Sequence, residues 1–288
     1  MNWVSAVSCA ATRIGFPFQS SCEESQKYMP HFERYIGIDY SGARTAESSL
    51  KEIRVYSATP SSEADEVRPP SGPRKYWSRR ALASWLVERL SSGVPALVGM
   101  DHALSFPLAY FERHGLPLDW PGFLNEFQSH CSTDEANTYV DFVRNGMAGC
   151  WSKVAGEPSW LRLTERWTAA AKSVFLFDVQ GAVAKATYAG LPWLRYLRRE
   201  FDGKVQFWPF DGWDVPQGRS VLSEVYPSLW MKRFPRHGRN SDQHAAYSVA
   251  AWLRRADLNG TLSQFLHPGL DEPERTIAQI EGWILGVV

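Results

Sequence analysis

Three short apolar runs in this chain each stop on a carboxylate: Tyr35–Ile38 on Asp39, Ala96–Met100 on Asp101 and Val221–Ser223 on Glu224. Runs of this kind read as buried strands, and the helical stretches between them point to an α/β sheet. In open α/β sheets ligands bind beyond the carboxyl ends of the strands, so acids at several tips converge on one point. Carboxylates brought together repel strongly unless a cation sits between them. The pattern predicts a divalent-metal site suited to phosphate-ester chemistry.

A fourth acid, Asp242, opens a long amphipathic segment, Asp242 to Leu258. It lies in register with Ala246, Val249, Ala250 and Leu253, at offsets of four, seven, eight and eleven. It therefore continues the core-facing stripe of the helix. An unpaired charge there is very costly, and a shared metal is a partner for it. Each acid alone also has an ordinary role. Asp39 before Tyr40-Ser41-Gly42 can make an Asx-turn, and Asp101 can start a loop or cap a helix. Glu224 can pair with an arginine such as Arg219, and Asp242 suits a first helical turn. Their recurrence at strand ends favours a common site.

The rest of the chain arranges itself around these points. Residues 1 to about 33 carry small residues and cysteines without a sustained period and lead to Met29, so they read as a leader, with a single domain over 34–288. A second strand is predicted near Ile53–Tyr56, and Pro60 to Pro73 reads as a loop. Ser78 caps a helix with Leu82, Trp85, Leu86 and Leu90 on one face. Helices are predicted over Asp134–Val143 and Leu161–Ala171, and a strand over Val174–Phe177. A helical region from Ala182 to Glu200 is expected to break near Gly190 and Pro192. Another strand is placed near Val205–Trp208. The last helix is read over Glu274–Leu285, with Ile277, Ile280 and Ile284 on one face and Pro273 at its start.

The chain has 288 residues, with 31 Lys plus Arg against 31 Asp plus Glu, a formal net charge of zero. That balance counts against a strongly basic nucleic-acid coat protein but leaves room for a local basic groove. Cys9, Cys22, Cys131 and Cys150 lack metal-knuckle spacing; His130-Cys131 with Cys150 offers zinc no evident fourth ligand, and ordinary thiols are expected. No apolar run has membrane-spanning length, so no membrane is expected as a partner and the location is read as cytoplasmic.

Taken in order, the segments YIGIDYSGA, VGMDHALSFP, SEVYP and DQHAAYSVAAW resemble the domain-of-unknown-function 429 family, which is expected to be ribonuclease H-like. The resemblance runs from about Tyr35 to the C-terminus. It implies an α/β fold: a mixed five-stranded sheet of order 3-2-1-4-5 flanked by helices, here with a helical insertion over about 108–173. It also implies acids from the first strand, the fourth strand and a late helix binding two Mg²⁺ or Mn²⁺ ions. On that resemblance Asp39 bridges the metals, Asp101 is the fourth-strand acid, Glu224 the acid of the next tip and Asp242 the late-helix acid. The family's late helix often has a further Asp three residues after its first acid. This chain has Ala245 there, which weakens the second metal position.

The expected activity is metal-dependent hydrolysis of a nucleic-acid phosphodiester bond. Ser41, His102, Lys172 and Lys185 are candidate substrate residues, with His102 as a proton shuttle or, more simply, a packed side chain. Arg195, Arg198 and Arg199 share a helix face and, with Arg162 and Arg166, are candidates for a phosphate groove, while Trp151, Trp160 and Trp208 are available for stacking. Two other classes compete. One is a ribonuclease H-like binding or scaffold protein with a weakened site. The other is a phosphotransferase of the actin and sugar-kinase type, for which a second phosphate loop and a Gly-rich adenosine motif are missing.

Overall fold

A computed structural model describes residues 29–70, 75–147, 151–168 and 171–288. Its centre is a mixed sheet of six strands, not five: β1 (Arg34–Asp39), β2 (Arg54–Thr59), β3 (Ser62–Glu66), β4 (Ala96–Asp101), β5 (Val205–Phe207) and β6 (Ser220–Glu224). They lie in the order β3-β2-β1-β4-β6-β5. The first three pair antiparallel, whereas β1, β4, β6 and β5 run parallel. The three acid-tipped runs are the three central parallel strands, buried on both faces as their composition requires.

Two strands escape the expectation. β3 falls in the stretch read as a loop, because only Ala64 is buried and the remaining residues are polar or charged. That composition suits a sheet edge, where charge discourages pairing with another chain. Val174–Phe177, by contrast, forms no strand. Phe175 instead joins an aromatic cluster, 4.8 Å from Phe106 and 5.8 Å from Tyr110 between ring centres.

Ten helices complete the described residues: α1 (Arg79–Leu90), α2 (Leu108–His114), α3 (Trp120–His130), α4 (Val140–Arg144), α5 (Trp151–Val154), α6 (Leu163–Trp167), α7 (Ala184–Phe201), α8 (Ser241–Leu258), α9 (Leu262–Leu266) and α10 (Glu272–Glu281). Ser78 caps α1 as predicted, its hydroxyl accepting from the Ala81 amide at 3.2 Å. The helices read over Asp134–Val143 and Leu161–Ala171 shrink to the short α4 and α6. The helix read over Glu274–Leu285 ends at Glu281 before Gly282 (φ 82°), and Ile284 then bridges to Glu224 beside β6.

The predicted break in α7 does not occur. Pro192 withholds one amide, and the carbonyl four residues earlier, Tyr188, accepts from the Thr133 hydroxyl at 3.0 Å instead. The part of the leader that is described also belongs to the fold. The amides of His31 and Phe32 donate to the Asp257 carboxylate at 3.0 and 2.9 Å, and Phe32 is fully buried. Residues 1–28, with Cys9 and Cys22, lie outside the described residues, as does Cys150 of the zinc candidate; Cys131 is buried.

The sheet separates two cores. Tyr35, Leu97 and Val221 face α8, whereas Ile36, Ile38, Val98 and Leu222 face α1, α7 and the helical insertion. Glycines let α8 lie directly on the sheet. A Cβ on Gly37 would sit 2.2 Å from the Ala246 carbonyl oxygen, and one on Gly99 would meet Val249 at 2.7 Å. Among the described residues no helix is long and apolar enough to cross a membrane.

Candidate active site

Register brings the first two acids together. Asp39 pairs in register with Asp101 on β4 and with Arg54 on β2, so the three side chains leave the sheet on the same face, that of α8. The Asp39 and Asp101 carboxyls share a hydrogen bond. Burial raises the Asp39 carboxyl well above its ordinary range, Asp101 and then Asp242 push it further, and Arg54 opposes them. Burial also lifts Asp101 to about 7, with the Glu224 charge adding to the effect. Two carboxyls in this relation hold one proton between them near neutrality.

Asp242 comes from the first turn of α8, which Asn240 caps through the Gln243 amide at 2.8 Å. The close seating of α8 on Gly37 carries this acid to the rim of the pair. There its charge is felt by Asp39, and its own carboxyl is raised by partial burial and by Glu52.

Glu224 is placed differently from the expectation. Its register partner on β4 is Met100, one residue short of Asp101, so its side chain leaves on the opposite face of the sheet. There Arg162 takes both its oxygens, Nη1 donating to Oε2 at 2.7 Å and Nη2 to Oε1 at 2.6 Å. Arg162 Nε also donates to Glu165 at 2.9 Å, and the Leu104 amide adds a bond to Glu224 at 3.2 Å. Arg162, Glu165 and Glu224 are all buried, which ties the insertion to the end of β6. Nearby Glu281 accepts from the amides of Leu108 and Leu163, at 2.5 Å each. The partner is thus Arg162, not Arg219, and Glu224 is committed to structure.

The remaining candidates divide as follows. His102 is buried, its Nδ1 lies 2.8 Å from the Ala103 carbonyl, and it packs on Tyr40 with ring centres 4.6 Å apart. Burial lowers its pKa to about 4, so it is neutral and poorly suited to shuttle protons. Its ring fits because residue 190 is glycine, where a Cβ would lie 2.5 Å from Nε2. Ser41 occupies the turn after Asp39, accepting from the Ala43 amide at 3.3 Å. Lys185 is paired with Asp141 at 2.8 Å, and Lys172 Nζ donates to the Gln180 carbonyl. Lys172, Asp101, Arg162 and Glu224 nevertheless line one small pocket of about 20 Å³, room for roughly one water.

The predicted groove is not assembled. Arg162 is buried, Arg198 is bound to Asp211 at 2.8 Å, Arg195 donates to Asn125, and Trp208 is fully buried. The basic residue that matters, Arg54, was missed because nothing local marks it: it reaches Asp39 only through antiparallel pairing. It opens a cleft of about 480 Å³ lined by Arg54, Arg68, Lys75, Tyr76, Glu66 and Gln243 among others. Arg54 lies 5.0 Å from the Tyr76 ring centre and 2.9 Å from Glu66.

Among the described residues no three His, Cys, Asp or Glu side chains are gathered into a group able to hold a metal ion. The donor set is the Asp39–Asp101 pair with Asp242 outside it. Two hard carboxylates fit Mg²⁺ or Mn²⁺, since Mg²⁺ takes one or two protein carboxylates and completes its shell with water and phosphate oxygens. Comparison with protein-family models, curated proteins and solved structures finds no match for this chain.

Proposed function

We propose that this protein is a ribonuclease H-like, metal-dependent phosphodiesterase acting on nucleic acid. The observation that carries the reading is the Asp39–Asp101 pair, joined by a hydrogen bond at the tips of adjacent parallel strands and raised in pKa by burial. Such perturbed acid pairs cluster at functional sites, beyond the carboxyl ends of sheet strands. Asp39 and Asp101 would hold Mg²⁺ or Mn²⁺ in place of their shared proton. When bound, the ion would supply charge neutralisation, polarise a phosphoryl oxygen and lower the pKa of water. Arg54, in register with Asp39, and Arg68 and Lys75 in the adjoining cleft offer cations to a phosphate backbone, with Tyr76 beside them for a base to stack on.

The test is cleavage of single-stranded, hybrid and branched substrates with Mn²⁺ or Mg²⁺, comparing wild type with Asp39→Asn. The expected loss is at least 100-fold, on the order of removing one electrostatic partner of the transition state. Equal cleavage by both proteins would remove the proposal. One observation favours a second reading: Glu224 is locked to Arg162, and the acids remaining at the tip are two with a third on the rim. A binding protein that keeps its shared proton would bind oligonucleotides without cleaving them and would ignore both metals.

A further inference from the structure

Behind Tyr40, on the face of the sheet away from α8, lies a cavity of about 10 Å³, enough for one occupant the size of a water or a small anion. Tyr40 follows β1, Arg79 opens α1, and Trp193 stands on α7; all three line it. Each brings a buried polar atom that has no hydrogen-bond partner: Tyr40 Oη, Arg79 Nε and Trp193 Nε1. All three can donate, and buried donors left unpaired are costly.

Charge sharpens the case. Arg79 is 0% exposed, and among the described residues no carboxylate pairs with it. Its Nη1 donates to the carbonyls of Ser41 and Ala43 at 3.1 and 2.8 Å, and its Nη2 to that of Arg44 at 2.8 Å. Those carbonyls satisfy hydrogens but carry no net charge, whereas a buried guanidinium without a counter-charge is strongly disfavoured. A water would accept from the remaining donors and leave the charge unbalanced. An anion would do both. His102 Nε2, which wants a donor, belongs to the neighbouring pocket on the Asp101 side.

We infer that this cavity binds a small monovalent anion of the halide class, chloride in ordinary buffers, through Arg79 Nε, Tyr40 Oη and Trp193 Nε1. Because Arg79 also holds the turn that follows Asp39, the anion would stiffen the segment leading away from the carboxyl pair. The inference does not depend on the enzymatic reading.

Crystals grown or soaked in bromide test it directly, with an anomalous peak expected between Arg79 and Trp193. In solution, chloride would replace gluconate at fixed ionic strength while Tm is followed for wild type, Trp193→Phe and Tyr40→Phe. A tenfold increase above half-saturation should raise the wild-type Tm by roughly 2–4 °C, and most of that gain should vanish in both variants, which keep the buried aromatic bulk. A bromide-free map with an ordered water in the cavity, or the same chloride response in all three proteins, would overturn the proposal.

Discussion

The two faces of the sheet treat strand-end acids in opposite ways. On the α8 face, Asp39 and Asp101 face each other with one arginine, Arg54, across the next strand, and they keep a proton that ordinary carboxyls would have lost. On the other face, Glu224 and Glu165 surround Arg162 and spend their oxygens on its guanidinium and on backbone amides. The residues are chemically alike and sit at equivalent strand tips. A register offset of one residue separates an acid pair available for chemistry from an acid spent on holding an insertion in place. Burial raises a carboxyl's pKa on either face; a fixed counter-charge decides whether the site can exchange what it holds.

The largest effect should come from removing that counter-charge. Arg162→Met leaves Glu165 and Glu224 buried together without a cation, a loss of roughly 3–5 kcal/mol. Urea denaturation should show it, and a variant as stable as wild type would contradict the division between the faces. Asp101→Asn sharpens the same contrast from the other side. In the folded chain Asp101 releases its proton near pH 7, whereas in the unfolded chain it does so near 4 (about the model-peptide value). The native state therefore binds more protons across that window, and stability falls as pH rises from about 4 to 7. The asparagine variant should flatten this slope and gain on the order of 2–3 kcal/mol at pH 8 relative to wild type. Denaturation at several pH values measures it. The smallest effect should follow Gly37→Ala, where a methyl group would meet the Ala246 carbonyl and push α8 off the sheet. A cost of about 1–3 kcal/mol is expected. Asp242 should move with the helix, which weakens Mn²⁺ stabilisation more than the same substitution at exposed Gly93 would.

The sequence determined much of this molecule unaided. Apolar runs of five or six residues can be satisfied only as buried strands, so β1, β4 and β6 were legible. The 3.6-residue stripe of α8 and the Ser78 cap depend on neighbours a few positions away, and they were legible for the same reason. Asp39, Asp101 and Asp242 could be named as acids near one end of a sheet. Their grouping with Glu224 could not be checked, since strand register is a relation between segments more than a hundred residues apart, and one step of slip reverses the face. Arg54 joins the acids through such a relation, and Arg162 reaches Glu224 across 62 positions. The edge strand β3 and the continuity of α7 through Pro192 also rest on partners that no local pattern announces. Tertiary structure alone decided which buried charge met a counter-charge, because Coulomb and desolvation energies depend on distances in space.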